Sequence, residues 1–177
     1  MKTGAAIIRK CEAKDLTQLT QFALKTFKDT FEKDNDPKDF KAYIDKAITE
    51  EKLGQEMTHK GSSFYFLELE GQIIGYIKLN LTPFQSDIND PKSLELERAY
   101  VDLNYHGLGY GKMLFDFIIE QAKSHQIEYI WLGVWERNAK AIAFYKQLGF
   151  YKFSEHPFKL GTAQQKDHLM RYDLPLS

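Results

Sequence analysis

The chain of 177 residues contains one cysteine, Cys11, so no disulfide can form within it. No charged-then-apolar leader precedes the first structured segment, and a cytoplasmic location is expected. No apolar run approaches the roughly 18 residues a membrane-crossing helix requires. The formal net charge is -1 with no basic block or stripe, which leaves nothing to grip a nucleic acid. The five histidines (His59, His106, His125, His156 and His168) lie far apart and form no H-x-x-x-H or Cys/His cluster, so no metal is expected. What is present is a hydrophobic fraction of 43% and an aromatic fraction of 14%, the make-up of a folded protein. The length suits one domain spanning residues 1–177.

Periodicity orders the elements. Ala5 to Arg9 reads as a strand, and Asp15 opens a helix carrying Leu16, Leu19, Ala23, Phe27 and Phe31 at steps of three or four. Asp36 before Pro37 looks like an N-cap, and Thr49 begins a third short helix. Ser63 to Leu69 and Gln72 to Leu81 form a hairpin about Glu70-Gly71. Pro83 to Lys92 reads as an exposed loop before a strand from Leu94 to Val101. A helix to about Ser124, a buried strand from Tyr129 to Val134 and a helix capped by Asn138 and ended by Gly149 follow. Strands at about Tyr151 to Leu160 and Lys166 to Asp173 close the chain. The expected fold is a mixed α/β layer domain, a sheet of seven strands flanked by helices.

The most informative stretch is Leu94 to Lys112, a strand-like run that ends in a short loop where Gly107, Gly109 and Gly111 alternate before a helix. Backbone without Cβ atoms can curl so that N–H groups converge at a helix N-terminus, a place that favours an anion such as phosphate. A flexible turn is the plain alternative. The dinucleotide fingerprint fails because Lys112 stands where its last glycine belongs, and a P-loop fails because His106 stands where its first glycine belongs.

Further on, Asn138 and Tyr145 are seven residues apart on one helix, so they share a face, about 20° out of line and about 10 Å apart along the axis. With these residues in place, the chain resembles the GNAT superfamily of N-acyltransferases. Its Q/R-x-x-G-x-G/A signature matches His106-Gly107-Leu108-Gly109-Tyr110-Gly111 with histidine at the Gln/Arg position, and its Asn…Tyr…Gly-Phe element matches Asn138, Tyr145, Gly149 and Phe150. More narrowly, LELERAYV, HGLG, WLGVWERN and AIAFYKQLGF are similar to the PaiA type of polyamine N-acetyltransferases.

The resemblance implies a mostly antiparallel sheet that splays between the fourth and fifth strands, with acetyl-CoA as co-substrate. Backbone groups of Tyr100 and Val101 would pair with the pantetheine arm, and the amides of Leu108 to Lys112 would hold the pyrophosphate. The Lys112 side chain would add charge there or stand in solvent. His106 and Asn138 complete the implied cofactor contacts. An alkylamine has a pKa near ~10.4, so its attack on the thioester calls for a base. Glu97, which shares a strand face with Glu95, is the candidate, acting through water; its alternative is an ion pair with Arg98 or Lys78. A backbone N–H near Tyr100 would stabilise the oxyanion, and Tyr145 would protonate the departing thiolate. Cys11 has no adjacent histidine to activate it as a nucleophile.

The resemblance implies a small amine as partner, spermidine or spermine above others, and a homodimer. Asp29, Glu32, Asp34, Asp36 and Asp39 lie where the family's acceptor groove is walled, although interleaved lysines also fit a solvated loop. Trp131 and Trp135 would wall that groove or sit in the core. A protein N-terminus, an amino acid or an aminoglycoside as acceptor, and a non-catalytic acetyl-CoA-binding regulator, are the other readings.

Overall fold

The computed structural model describes residues 4–161 and 163–175. The order is β1 (Ala6–Lys10), α1 (Leu16–Phe31), α2 (Pro37–Ala47), α3 (Glu50–Met57), β2 (Ser62–Leu69), β3 (Gln72–Asn80), β4 (Ser93–Val101), α4 (Tyr110–Ser124), β5 (Tyr129–Trp135), α5 (Ala139–Leu148), β6 (Tyr151–Leu160) and β7 (Ala163–Asp173). The strands form one sheet in the order β1-β2-β3-β4-β5-β7-β6. β4 and β5 make its parallel pair and every other neighbour is antiparallel.

Local chemistry sets the boundaries. Asp36 accepts from the Lys38 and Asp39 amides with Pro37 at the first helical position of α2, and the Thr49 hydroxyl accepts from Lys52 N to start α3. Glu70 and Gly71 both take positive φ, the turn that joins β2 to β3 with matched twist. Gly149, at φ 109°, ends α5.

Two layers cover the sheet. Leu114, Phe115, Ile118 and Ala122 of α4 pack with Ile130, Leu132 and Val134 of β5, and α5 joins them through Ile142 and Tyr145. Each fully buried aliphatic side chain of this stripe contributes about 1.5–3 kcal/mol. On the opposite face α1 and α3 pack Leu19, Ala23 and Leu53 against Phe64, Phe66 and Tyr76. Period-two alternation therefore sends Trp131, Gly133 and Trp135 of β5 toward α1 and α2.

Two sequence expectations change. β7 begins at Ala163, three residues ahead of Lys166, because its partner β6 is long enough to pair down to Leu160. The Pro83–Lys92 segment is not wholly exposed: Gln85 is buried and donates to the carbonyls of Asn80 and Ser93 while accepting from Trp131 Nε1 at 3.0 Å. Its side-chain amide takes the place of a strand partner where β3 and β4 part.

Candidate active site

β4 and β5 pair only at Ser93–Tyr129, Leu94–Ile130 and Glu95–Trp131. Beyond Glu95 the two strands separate, which opens the centre of the sheet. The Asp102 amide donates to the Ile74 carbonyl at 2.8 Å, so alternation turns the backbone groups of Ala99 and Val101 into the gap and those of Tyr100 toward β3. His106 Nε2 lies 2.7 Å from the Val101 carbonyl, in agreement with that direction.

At the mouth of the gap the glycine loop becomes α4. Gly107 (φ 75°) and Gly109 (φ 90°) occupy the left-handed region, and Gly109 is the N-cap of α4. Gly111 is needed for a different reason: a Cβ there would lie 2.8 Å from the Phe144 ring of α5. Among the described residues, the amides from Gly107 to Lys112 donate to no protein acceptor, and the first bond of the helix is Met113 N to Gly109 O. Unpartnered N–H groups at the positive end of a helix form a phosphate cradle, so the loop fits the diphosphate of a CoA thioester. The surrounding cations are partly engaged. Lys112 pairs with Asp116 along the helix, and Lys140 Nζ approaches His106 Nδ1 at 2.9 Å. Lys140 was not evident from sequence because it reaches His106 across the gap from α5.

The face shared by Asn138 and Tyr145 lies beside this gap. Asn138 Oδ1 accepts from Ala141 N at 3.1 Å and caps α5. Tyr145 packs its ring on Phe150, and among the described residues its hydroxyl has no hydrogen-bond partner. Burial pushes that phenol up to about 12, which keeps it protonated.

A cavity of about 290 Å³ opens on the α1–α2 side of the sheet. Phe27 and Phe31 of α1 and Tyr43 of α2 form its roof, and Glu95, Glu97 and Tyr100 of β4 form one wall. The opposite wall is Trp131, Gly133 and Trp135 of β5 with Asp167 of β7. The acidic segment from Asp29 to Asp39 does not line it. There Asp29 pairs with Lys25 and Asp36 caps α2, so the carboxylates of the cavity come from the sheet instead.

Glu97 sits in a β-bulge. Lys78 pairs with Arg98 and Leu79 with Leu96, which leaves Glu97 without an opposite residue and re-aims its side chain. Glu95 and Glu97 converge on the two N–H groups of Asn80 Nδ2, each at 2.9 Å. Lys78 also reaches Glu97 Oε2, and Arg98 Nη2 stands 3.7 Å from Oε1, so the ion pairs read from sequence are present. Behind them Glu56 of α3 receives both guanidinium nitrogens of Arg98. Burial alone would raise the Glu97 carboxyl, but Arg98 and then Lys78 outweigh it and hold it below the usual carboxylate range. Burial raises Glu95, despite its bonds to Asn80 and Ser86. Cys11 is buried, and its thiol is pushed up to about 12 mainly by that burial.

Residues 18–150 match the family model of the Acetyltransferase (GNAT) family. An "Uncharacterized N-acetyltransferase in pepI 3'region" of Lactobacillus delbrueckii subsp. lactis is 42% identical over 169 residues, covering 96% of this chain and 97% of that one. A spermine/spermidine N(1)-acetyltransferase of Bacillus subtilis is 31% identical over 85 residues, 48% of this chain and 56% of that one. The crystal structure of PaiA N-acetyltransferase from Thermoplasma acidophilum in complex with coenzyme A shares the fold, with a TM-score of 0.77 over 96% of this chain and 99% of that one at 22% identity. The chain belongs to the GNAT family and is an acetyl-CoA-dependent N-acetyltransferase.

Proposed function

We propose that the acceptor is a small polyamine, spermidine or spermine, which attacks acetyl-CoA directly while both are bound. The observation that carries this reading is the cavity beside the gap, small and walled by carboxylates and aromatic rings. Glu95, Glu97 and Asp167 line it with Arg98, while Lys78 reaches Glu97 and Glu56 holds Arg98 from behind, so carboxylates outnumber the fixed cations, a balance that favours a positively charged guest. The aromatic roof suits the same guest, since ring faces attract alkylammonium groups.

The roof also favours a small acceptor over a polypeptide. Tyr43 of α2 meets Phe158 of β6 edge-on at 5.8 Å, and Gln165 of β7 donates to Asn35 Oδ1 at 2.7 Å. These contacts join the α1–α2 segment to the β6–β7 hairpin across the cavity. The match to the Bacillus subtilis spermine/spermidine enzyme points the same way.

In this reading the amides of Gly107 to Lys112 hold the pyrophosphate, with Lys112, His106 and Asn138 around it. Pantetheine pairs with the strand groups that face the gap, at Val101. Glu97 uses Oε1, which accepts no hydrogen bond among the described residues, to receive the amine proton through water as the C–N bond forms and the nitrogen becomes acidic. The N–H of Val101 faces the same gap and steadies the oxyanion. Tyr145, held protonated by its burial, returns a proton to the CoA thiolate.

Release of CoA thiol tests the proposal, with spermidine, spermine, an N-terminal peptide, lysine and an aminoglycoside offered separately. Turnover should be confined to the polyamines. Turnover with only another amine would replace the acceptor, and acetyl-CoA binding without turnover on any amine would make the protein a regulator.

A further inference from the structure

We propose that Asp167 anchors a second ammonium group of the acceptor, across β5 from the carboxylate that receives the reacting amine. The inference rests on the polyamine reading above and assigns a specificity-determining residue within it. It begins from Gly133, the residue of β5 between Trp131 and Trp135. All three point to the cavity, and at Gly133 the floor has no side chain. Asp167, on the neighbouring β7, fills that space: a Cβ at Gly133 would lie 3.5 Å from Asp167 Oδ2. The carboxylate therefore leans over β5 into the cavity.

Its partners are few. His156 Nε2 stands 3.6 Å from Asp167 Oδ2, too far for a hydrogen bond, and His156 Nδ1 is 3.0 Å from Asp87. Glu97 and Glu95 differ in this respect, since Lys78, Asn80 and Ser86 donate to them. Burial raises the Asp167 carboxyl more than His156 lowers it. The same wall contains a polar group that is unpaired among the described residues. Trp135 Nε1–H is buried and bonded to nothing among the described residues, which marks a wall whose hydrogen bonding is completed by what the cavity takes in. Tyr43 lines the same cavity as Glu97 and Asp167 and supplies a ring face to the guest.

The spacing suits a diamine. Glu97 and Asp167 lie on strands either side of β5, two strand spacings apart or more where β4 diverges, and Asp167 leans back over β5, so the carboxylates are on the order of 10 Å apart, of which a hydrogen bond of about 2.8 Å at each end takes up part. Four extended methylenes separate two nitrogens by roughly 6 Å and three by roughly 5 Å. An ammonium at Asp167 would thus leave the other amine near Glu97. A monoamine of the same length has no group to place there.

The experiment compares putrescine with butylamine, which differ by one terminal ammonium, in the wild type, Asp167→Asn and Asp167→Glu. Wild-type kcat/KM should favour putrescine. Asp167→Asn should lower it for putrescine about 10- to 100-fold, through KM, because a charged hydrogen bond is lost. Butylamine, which has no second ammonium, should lose far less than putrescine, and Asp167→Glu should recover part of the preference. An equal loss on both amines, or no loss, would overturn the assignment. If Asp167→Asn fails to fold, a wild type indifferent between the two amines would overturn it as well. Calorimetry of putrescine binding to the wild-type and Asp167→Asn CoA complexes separates the two proposals. Binding that depends on Asp167 without turnover of any amine would keep the anchor and discard the polyamine acetylation.

Discussion

Glu97 Oε2 receives Lys78 and Asn80, while among the described residues Oε1 has no donor within hydrogen-bond distance. A charge so held is ionised across the neutral range, and its Oε1 is open to a water or an amine. Glu97→Gln should therefore lower kcat roughly a hundredfold or more while acetyl-CoA binding, measured by calorimetry, is unchanged. Tyr145→Phe should also lower kcat, and because the phenol titrates only at about 12, the wild-type rate should show no alkaline fall from it below pH ~10. The paired carboxylates contribute to stability with opposite signs. Glu97 is depressed when folded, so its contribution is present above the ordinary carboxylate range and lost as pH falls through its folded value. Glu95 is raised, so it favours the folded state less as pH climbs from its ordinary value to its folded one. The Tm of Glu95→Gln relative to wild type should accordingly rise as pH increases through the acid range. Glu95 and Glu97 could be singled out from sequence because they alternate on one strand that runs into the glycine loop. Asp167 and Lys140 could not, since each is defined by a neighbour from another part of the chain: Gly133 across the β5–β7 ladder, His106 across the gap.

At the scale of elements, the glycine loop and the two helices beside it act as one unit. Gly109 is the N-cap of α4 in a left-handed conformation, so Gly109→Ala should cost ~1–2 kcal/mol and weaken CoA binding together. Asn138 caps α5, and Asn138→Ala should cost about 1 kcal/mol, a Tm fall of ~2–4 °C by calorimetry, while Asn138→Asp keeps the cap. Caps, the Glu70-Gly71 turn and the alternating strands were readable because each depends on a few adjacent residues. The Pro83–Lys92 segment was readable as a loop, but the burial of Gln85 within it was not. Its composition is that of a solvated turn, yet Gln85 is buried by Trp131 and Ser93, and Ser86 N bonds Glu95, contacts fixed only once β4 and β5 lie side by side. The acidic stretch Asp29 to Asp39 follows the solvated-loop reading that its interleaved lysines suggest: Asp29 pairs with Lys25, Asp36 caps α2, and the stretch does not line the cavity.

The whole molecule is a sheet opened at one place. Pairing between β4 and β5 stops after Glu95, and a CoA thioester and an acceptor can meet there from opposite sides, the first at the α4 N-terminus and the second in the aromatic cavity. A ligand that bridges two diverging strands should stabilise them. CoA at a hundred times its Kd should add ~2.7 kcal/mol and raise Tm by roughly 5–10 °C. The most direct test is the mass of the product formed from acetyl-CoA and spermidine by the wild type and by Glu97→Gln at equal concentration. Spermidine carrying one acetyl group is expected, formed rapidly by the wild type and at a small fraction of that rate by the variant. Unmodified spermidine beside intact acetyl-CoA, or equal yields from both proteins, would contradict it.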